Sequence, residues 1–303
     1  MKTRFDIYQE ITNRIVAAIE AGAGKFKLPW HRAASTKPPI NATTGRAYRG
    51  VNILSLWITT QALGYDSHQW ATFKQWQGRG ANVRKGEKGT PIVFYKELHV
   101  ESSEDSGSTD AEGGRTIPFA KASWVFNASQ VDGYVVESAP LPERPLFERI
   151  ASVDHAIAAT GARIEYGGSR ACYDRLTDRI SIPEERAFTG TTTSTPQEAF
   201  YATELHELSH WSGAECRLNR EKGKRFADRV YAFEELIAET SAAFLCAELG
   251  ITNEPRADHA QYIAQYLTIL KNDKKAIFAA SAAASAATDY ILAFSRQARE
   301  EAA

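Results

Sequence analysis

The 303-residue sequence has few cysteines: Cys172, Cys216 and Cys246 are odd in number, widely spaced and without a C-x-x-C pair. That spacing excludes a disulfide framework and a cysteine-zinc site, and predicts reduced thiols. No uninterrupted apolar run of membrane-spanning length is read. The first 22 residues scatter Lys2, Arg4, Asp6, Glu10, Arg14 and Glu20 through their apolar positions, so they lack the h-region of a signal peptide. These absences predict a cytoplasmic protein with no membrane partner. A Gly-rich nucleotide loop, a nucleophile elbow, a helix-turn-helix and internal repeats are also missing. With 43% hydrophobic and 24% charged residues the chain falls outside the disordered and collagen-like classes, and its length predicts two ordinary domains.

Net charge is nearly absent as well, at -1, but the total hides an asymmetry. Residues 1–100 carry 15 Lys and Arg against 6 Asp and Glu, and residues 101–303 carry 21 against 31, so the balance is +9 in front and -10 behind. Such a split points to a nucleic-acid-binding module joined to one that does other work. Trp30, Trp57, Trp70 and Trp76 all lie in the basic stretch. Single-stranded nucleic acid is held by a cationic groove with aromatic platforms. Trp30 and Trp76, flanked by polar or basic residues, are therefore the candidates to stack on bases, and Lys37, Arg46, Tyr48, Arg49, Arg84, Lys85 and Lys88 are the candidates for phosphates. Trp57, among Leu54, Leu56 and Ile58, is expected in the core.

Phe5, Tyr8, Ile11, Ile15 and Ile19 recur at three-to-four spacing and predict an amphipathic helix that stops at Gly22 and Gly24. A helix is expected over 52–63, strands over 72–77, 91–95 and around Trp124 to Phe126, and a polar low-complexity loop over 101–114. Pro140, Pro142 and Pro145 mark the boundary, which divides the chain into a domain at 1–137, a Pro-rich linker at 138–146 and a domain at 147–303. Beyond it we expect a helix over 147–160, strands over 163–166 and 178–182, and helices over 196–212, 228–249 and 254–303 with a break near Asn272. The predicted fold class is α+β: an N-terminal α+β DNA-binding domain and a mainly helical C-terminal domain with a small sheet.

His206-Glu207-Leu208-Ser209-His210 is an H-E-x-x-H match. Two histidines four apart on a helix share a face and can reach one ion, while the intervening Glu207 can act as general base on water. Thr195-Pro196-Gln197-Glu198 supplies a capping-box start, and Gly213 a stop, so the motif belongs on a helix. A third ligand is needed. Glu235 and Glu239 sit four apart beside Leu236, Ile237 and Ala242; Glu235 is the expected ligand and Glu239 the acceptor for a histidine N–H, with the reverse assignment left open. Glu234 is expected to face solvent. Tyr173 and Tyr231 are possible oxyanion donors but are read first as packing residues.

Thr203 to Gly213, Arg217-Leu218-Asn219-Arg220 and the run from Tyr231 to Ala243 together resemble the zincin-like metallopeptidase domain of ArdC-type plasmid antirestriction proteins. The stretches Pro38 to Asn41, Thr44 to Asn52, Trp70 to Trp76 and Val83 to Gly89 resemble that family's N-terminal single-stranded-DNA-binding domain. The resemblance implies a gluzincin-like site in which His206, His210 and Glu235 hold zinc or another divalent ion such as Mn(II), with Glu207 as catalytic base. It implies protection of plasmid DNA entering by conjugation, single-stranded DNA as partner, and a host restriction-system protein as a target. The alternative is a non-catalytic protein that coats single strands, with the zincin part as a metal-stabilised scaffold. Metal-dependent phosphodiester hydrolysis is weaker, because one histidine pair plus Glu has fewer carboxylates than two-metal nuclease sites.

Overall fold

The computed structural model describes residues 5–23, 37–100, 115–135, 146–189, 194–220, 229–251 and 260–301. Helix α1 (Ile7–Ala23) opens at Asp6, whose Oδ1 accepts the N–H groups of Tyr8 and Gln9 at 3.0 and 3.2 Å. Ile11, Ile15 and Ile19 fall on one face and are fully buried, each stabilising the fold by about 1.5–3 kcal/mol. Strand β1 (Ile40–Asn41) follows, then helix α2 (Val51–Leu63), which ends at Gly64 in the left-handed conformation (φ 64°) that a residue without Cβ adopts freely.

Strand β2 (Gln69–Ala71) leads into α3 (Phe73–Gly78), where a strand was expected. The reason is local. Thr72 caps the N–H of Gln75 while the Gln75 side chain reaches back to the Thr72 N–H, a capping box that closes a helical turn in a segment whose alternation suggests a strand. Strand β3 (Asn82–Val83) pairs with β6 (Val131–Asp132). The long antiparallel ribbon of β4 (Thr90–Val100) and β5 (Arg115–Asn127) runs in register from Thr90 opposite Val125 to Val100 opposite Arg115, and completes a sheet of order β1-β2-β5-β4. The outer edge of β4 is covered by α2: the Asn52 amide accepts the Val93 N–H and donates to the Val93 carbonyl, both at 2.8 Å. The 101–114 loop lies outside the described residues, as does most of the expected 138–146 linker.

The second half begins with α4 (Leu146–Ala159) and a three-stranded sheet in which β7 (Arg163–Tyr166) runs parallel to β9 (Arg179–Ile182) and β8 (Cys172–Asp174) antiparallel to it. β8, three residues long, was not anticipated. Helices α5 (Pro196–Ser212), α6 (Arg229–Leu249), α7 (Ala260–Asn272) and α8 (Ala276–Glu301) follow, with the break after Asn272 where it was expected. Ala276–Ala298 does have the length and hydropathy of a membrane span, contrary to expectation, but Ile277, Ala280, Ala284 and Ile291 of this helix are buried in the protein.

One continuous apolar cluster joins the two halves. Tyr8 meets Phe278 at 4.7 Å between ring centroids and Trp57 meets Phe244 at 5.7 Å. Polar ties cross the same boundary: Thr12 Oγ1 donates to the Lys274 carbonyl at 2.8 Å, the Gly50 N–H to Ser285 Oγ at 3.0 Å, and Lys271 pairs with Glu20 at 2.6 Å. A smaller cluster of Ala71, Trp76, Ala81, Ala128 and Val131 underlies the far end of the N-terminal sheet.

Candidate metal centre and nucleic-acid surface

Helix α5 carries the histidines and starts as its sequence requires. Thr195 Oγ1 accepts the Glu198 N–H at 3.1 Å, the Glu198 carboxylate accepts the Thr195 N–H at 3.0 Å, and Pro196 occupies the first turn. Leu205 and Leu208 anchor the helix in the core, which leaves His206, Glu207 and His210 turned towards α6 and the small sheet. The two Nε2 atoms are 3.2 Å apart. Glu235 on α6 places one carboxylate oxygen 3.5 Å from His206 Nε2 and the other 3.3 Å from His210 Nε2. One atom from each of the three residues lies within 4.8 Å of the others.

Each Nδ1 faces its own carboxylate. Glu239 lies 3.2 Å from His206 Nδ1, and Glu234 lies 3.3 Å from His210 Nδ1. A neutral imidazole donating Nδ1–H to a carboxylate directs its Nε2 lone pair at the common point, the arrangement that metal-bound histidines use. Two such lone pairs at 3.2 Å repel unless a cation stands between them. Glu234, Glu235 and Glu239 are all buried, and their charge outweighs that of the Arg220 guanidinium beside them. The donor set therefore fits a divalent ion.

The electrostatics agree. Burial disfavours a charged imidazole, yet hydrogen bonds to Glu235 and Glu239 and the charge of Glu207 override it and raise His206 to about 10. His210 is raised likewise, against burial, by the charge of Glu235 and its bond to Glu234. Burial pushes Glu235 up and the two imidazoles more than reverse this, so its carboxylate is held far below the usual range. The pocket attracts positive charge.

Glu234 corrects the sequence reading, which placed it in solvent. It is buried because Arg220 Nε and Nη2 grip it at 3.1 and 2.8 Å, and Arg220 also donates to Ser212 Oγ at 2.9 Å and the Ser209 carbonyl at 2.6 Å. A Cβ at Gly213 would lie 2.6 Å from the Arg220 guanidinium, so this glycine makes room for the arginine. The sequence held a signal for this clamp in Gly213 and Arg220, but no spacing rule links them. Tyr173 is committed elsewhere: its hydroxyl donates to Asp178 at 2.7 Å and accepts from Arg217 at 3.0 Å, while burial and the Asp178 bond push it up to about 12. Tyr231 is half-buried against the core. Strand β8 lies at an open edge of its sheet among the described residues, and Glu207 lies close enough for its charge to add to burial in raising the Cys172 thiol.

The N-terminal candidates scatter. Trp30 lies outside the described residues. Trp76 is 0% exposed, its Nε1–H bonded to the Phe126 carbonyl at 3.0 Å, so it has no face to offer a base. Tyr48 is buried too; its hydroxyl accepts from Asn41 at 3.3 Å, and burial raises it to about 12. Arg49 pairs with Asp289 of α8, and Arg84 pairs with Glu87 and Asp132, which takes both from the free cations. Arg46, Lys85 and Lys88 are exposed and Lys37 is half-buried. Phe73, Trp124 and Phe126, none of them singled out as base platforms, present rings at the surface instead.

Comparison with known proteins adds the following. Residues 151–283 match a family described as zincin-like metallopeptidase, and residues 5–126 match the N-terminal domain of anti-restriction factor ArdC. An uncharacterized protein of Sinorhizobium fredii is 41% identical over 293 residues, covering 96% of this chain and 92% of that protein. Two DNA primases TraC of Escherichia coli are each 33% identical over 313 residues, and the chain spans only 28% and 21% of their lengths. The metal-free crystal structure of antirestriction protein ArdC from plasmid R388 is 36% identical with a TM-score of 0.78, covering 97% of this chain and 99% of that one. Its Mn(II)-bound structure gives 36% and 0.76, over 96% and 98%. With the donor set described above, these make the cofactor a divalent metal.

Proposed function

Because this chain belongs to the ArdC antirestriction family, we propose that it binds single-stranded DNA entering by conjugation through its N-terminal half and hydrolyses a peptide bond at the His206-Glu207-His210 centre. It works in the cytoplasm of a bacterial host carrying the plasmid, and the peptide belongs to a protein of the host restriction system. The observation that carries the reading is the convergence of two Nε2 atoms and the Glu235 carboxylate within 4.8 Å, with Glu207 between the histidines on the same buried helix.

A bound divalent ion supplies Lewis-acid polarisation of the scissile carbonyl and acidifies water. His206, His210 and Glu235 would hold it, and Glu234 and Glu239 keep the imidazoles in the tautomer that presents Nε2. Glu207 accepts a proton from water as its oxygen adds to the carbonyl carbon, then returns that proton to the amide nitrogen as the C–N bond breaks. Its burial keeps bulk water from competing for the proton. The open edge of β8 beside Glu207 offers N–H and C=O groups along which an extended peptide backbone can lie.

The test is Glu207→Gln in the full chain, with three readouts: metal content, binding of single-stranded DNA, and protection of transferred DNA in a restricting host. The expected result is loss of protection with metal and DNA binding intact. Full protection by this variant overturns the peptidase reading in favour of a DNA-coating protein on a metal-stabilised scaffold.

A further inference from the structure

The N-terminal half carries a row of surface rings built from three separate segments. Phe5, just ahead of α1, meets Trp124 of β5 at 5.4 Å between centroids, and Phe73 at the start of α3 meets Phe126 of β5 at 6.3 Å. Trp124 and Phe126 are two apart on one strand, so they share a face about 7 Å from each other. Phe5, Trp124 and Phe73 are 53%, 46% and 47% exposed, and Phe126 is half-buried between its neighbours. Rings in mutual contact at the surface make a contiguous apolar patch, the kind of surface that marks an interaction site.

Three features make the row a built surface. Trp76 fixes it from below: the fully buried indole donates to the Phe126 carbonyl and packs in the small cluster against which Phe126 rests. Gly89 fixes it from the side, because a Cβ there would come within 2.9 Å of Trp124 Cβ and 3.2 Å of the Phe126 ring. Charge borders it. Lys74 follows Phe73 and Lys88 precedes Gly89; both are exposed, and neither is in a salt bridge among the described residues, whereas Arg49 and Arg84 are paired.

We infer that Phe5, Trp124, Phe126 and Phe73 form a stacking platform for the bases of single-stranded nucleic acid, with Lys74 and Lys88 meeting its phosphates. The inference rests on the proposal that the N-terminal half binds single-stranded DNA, and it names a surface for that role in place of Trp76 and Tyr48. Rings spaced 5 to 7 Å apart suit bases that have left a duplex stack, and every base has a face to offer them. Lys74 and Lys88, in no salt bridge among the described residues, belong to the stretch 1–100 whose balance is +9, and they bring to the strip the charge a polyanion needs.

The experiment uses the full chain and fluorescence anisotropy with a labelled oligothymidylate and a duplex of the same length, at several salt concentrations. Trp124→Ala and Phe73→Ala should each weaken oligothymidylate binding about tenfold with little change in the salt slope, and should weaken duplex binding less. Trp124→Phe should retain affinity. Lys74→Ala with Lys88→Ala should flatten the salt slope by about 1.4 while leaving the ring contribution in place. Unchanged melting temperatures establish that these exposed substitutions leave the fold intact. If the natural protein binds oligothymidylate and both ring variants bind within twofold of it, the platform is wrong while DNA binding by the half stands. If the natural protein shows no salt-dependent binding, both fail together. A ring variant that changes the sedimentation state and not the DNA affinity makes the strip a contact between copies of the chain, and overturns the inference.

Discussion

Replacing Arg220 with Met tests how far the metal centre depends on a residue that never reaches the ion. Arg220 and Glu234 are 9% and 3% exposed, joined by two guanidinium bonds at 3.1 and 2.8 Å. Removing one partner of a buried pair costs about 3–5 kcal/mol, because the remaining charge loses its compensation. The lost bonds to the Ser209 carbonyl and Ser212 Oγ add about 1 kcal/mol each. Glu234 then lowers its cost by taking up a proton, and a neutral carboxyl is a poorer acceptor for His210 Nδ1–H. Weakening that partner is expected to cost 10- to 100-fold in metal affinity, or about 1.4–2.7 kcal/mol. The assay is Mn(II) or Zn(II) affinity by chelator competition, with the melting temperature of metal-free protein measured alongside. The decisive variant is Arg220→Met combined with Glu234→Leu, which removes both buried charges. Its stability should return most of the way to that of the natural protein, and its metal affinity should not, since His210 still lacks its acceptor. His210→Ala, which removes a ligand, sets the floor. A double variant that recovers affinity together with stability refutes the reasoning, because Glu234 would then act only as the partner of Arg220.

Glu204 gives a pH prediction: burial first, then the charge of Asp154, raises its carboxyl to about 7 against the hydrogen bond from Tyr166. A folded value above the unfolded one near 4.5 means the native state binds the extra proton, so stability from this group is present at low pH and lost as pH climbs from about 4.5 to 7, by up to about 3 kcal/mol. Glu204→Gln should flatten that limb and raise the melting temperature above pH 8; superimposable melting profiles for the two proteins would count against it. A chain cut after residue 137 should aggregate or melt without cooperativity, because it exposes Tyr8, Ile15 and Trp57, which belong to the cluster shared with the second half. A monomeric fragment with a sharp thermal transition would show that the halves fold independently.

The legible parts of the fold were those decided by local chemistry. Pro196 to Ser212 came out of the sequence at its observed ends because Thr195, Pro196, Glu198 and Gly213 are each start or stop signals that act within one turn. The periodic isoleucines of α1 were equally plain. The segment from Thr72 failed for an instructive reason: a capping box was present in Thr72 and Gln75, but six residues are too few for a period of 3.6 to outweigh an apparent alternation. β8 failed because three residues at a sheet edge carry almost no pattern. Contact between the halves was illegible too. The apolar face of α1 looks the same whether it packs on its own sheet or on α7 and α8.

The candidate metal centre and the proposed nucleic-acid surface differ in legibility for the same physical reason. Metal ligation constrains residue type and spacing together, so His206, Glu207, His210 and the Glu235 and Glu239 pair announce themselves along the chain. Glu234 did not, because its burial depends on Arg220 arriving from a loop fourteen residues away. Stacking constrains only that a ring be exposed, and exposure is settled by packing that no local pattern records. Trp76 lies between Gln75 and Gln77 and Trp124 between Ser123 and Val125, yet the first is sealed beneath Tyr134 and Phe126 and the second stands open beside Phe5. The composition of the first hundred residues directs attention to their own tryptophans, whereas the exposed rings of β5 are set by its pairing with β4, Trp124 opposite Pro91, and by the room Gly89 leaves beside Trp124 and Phe126.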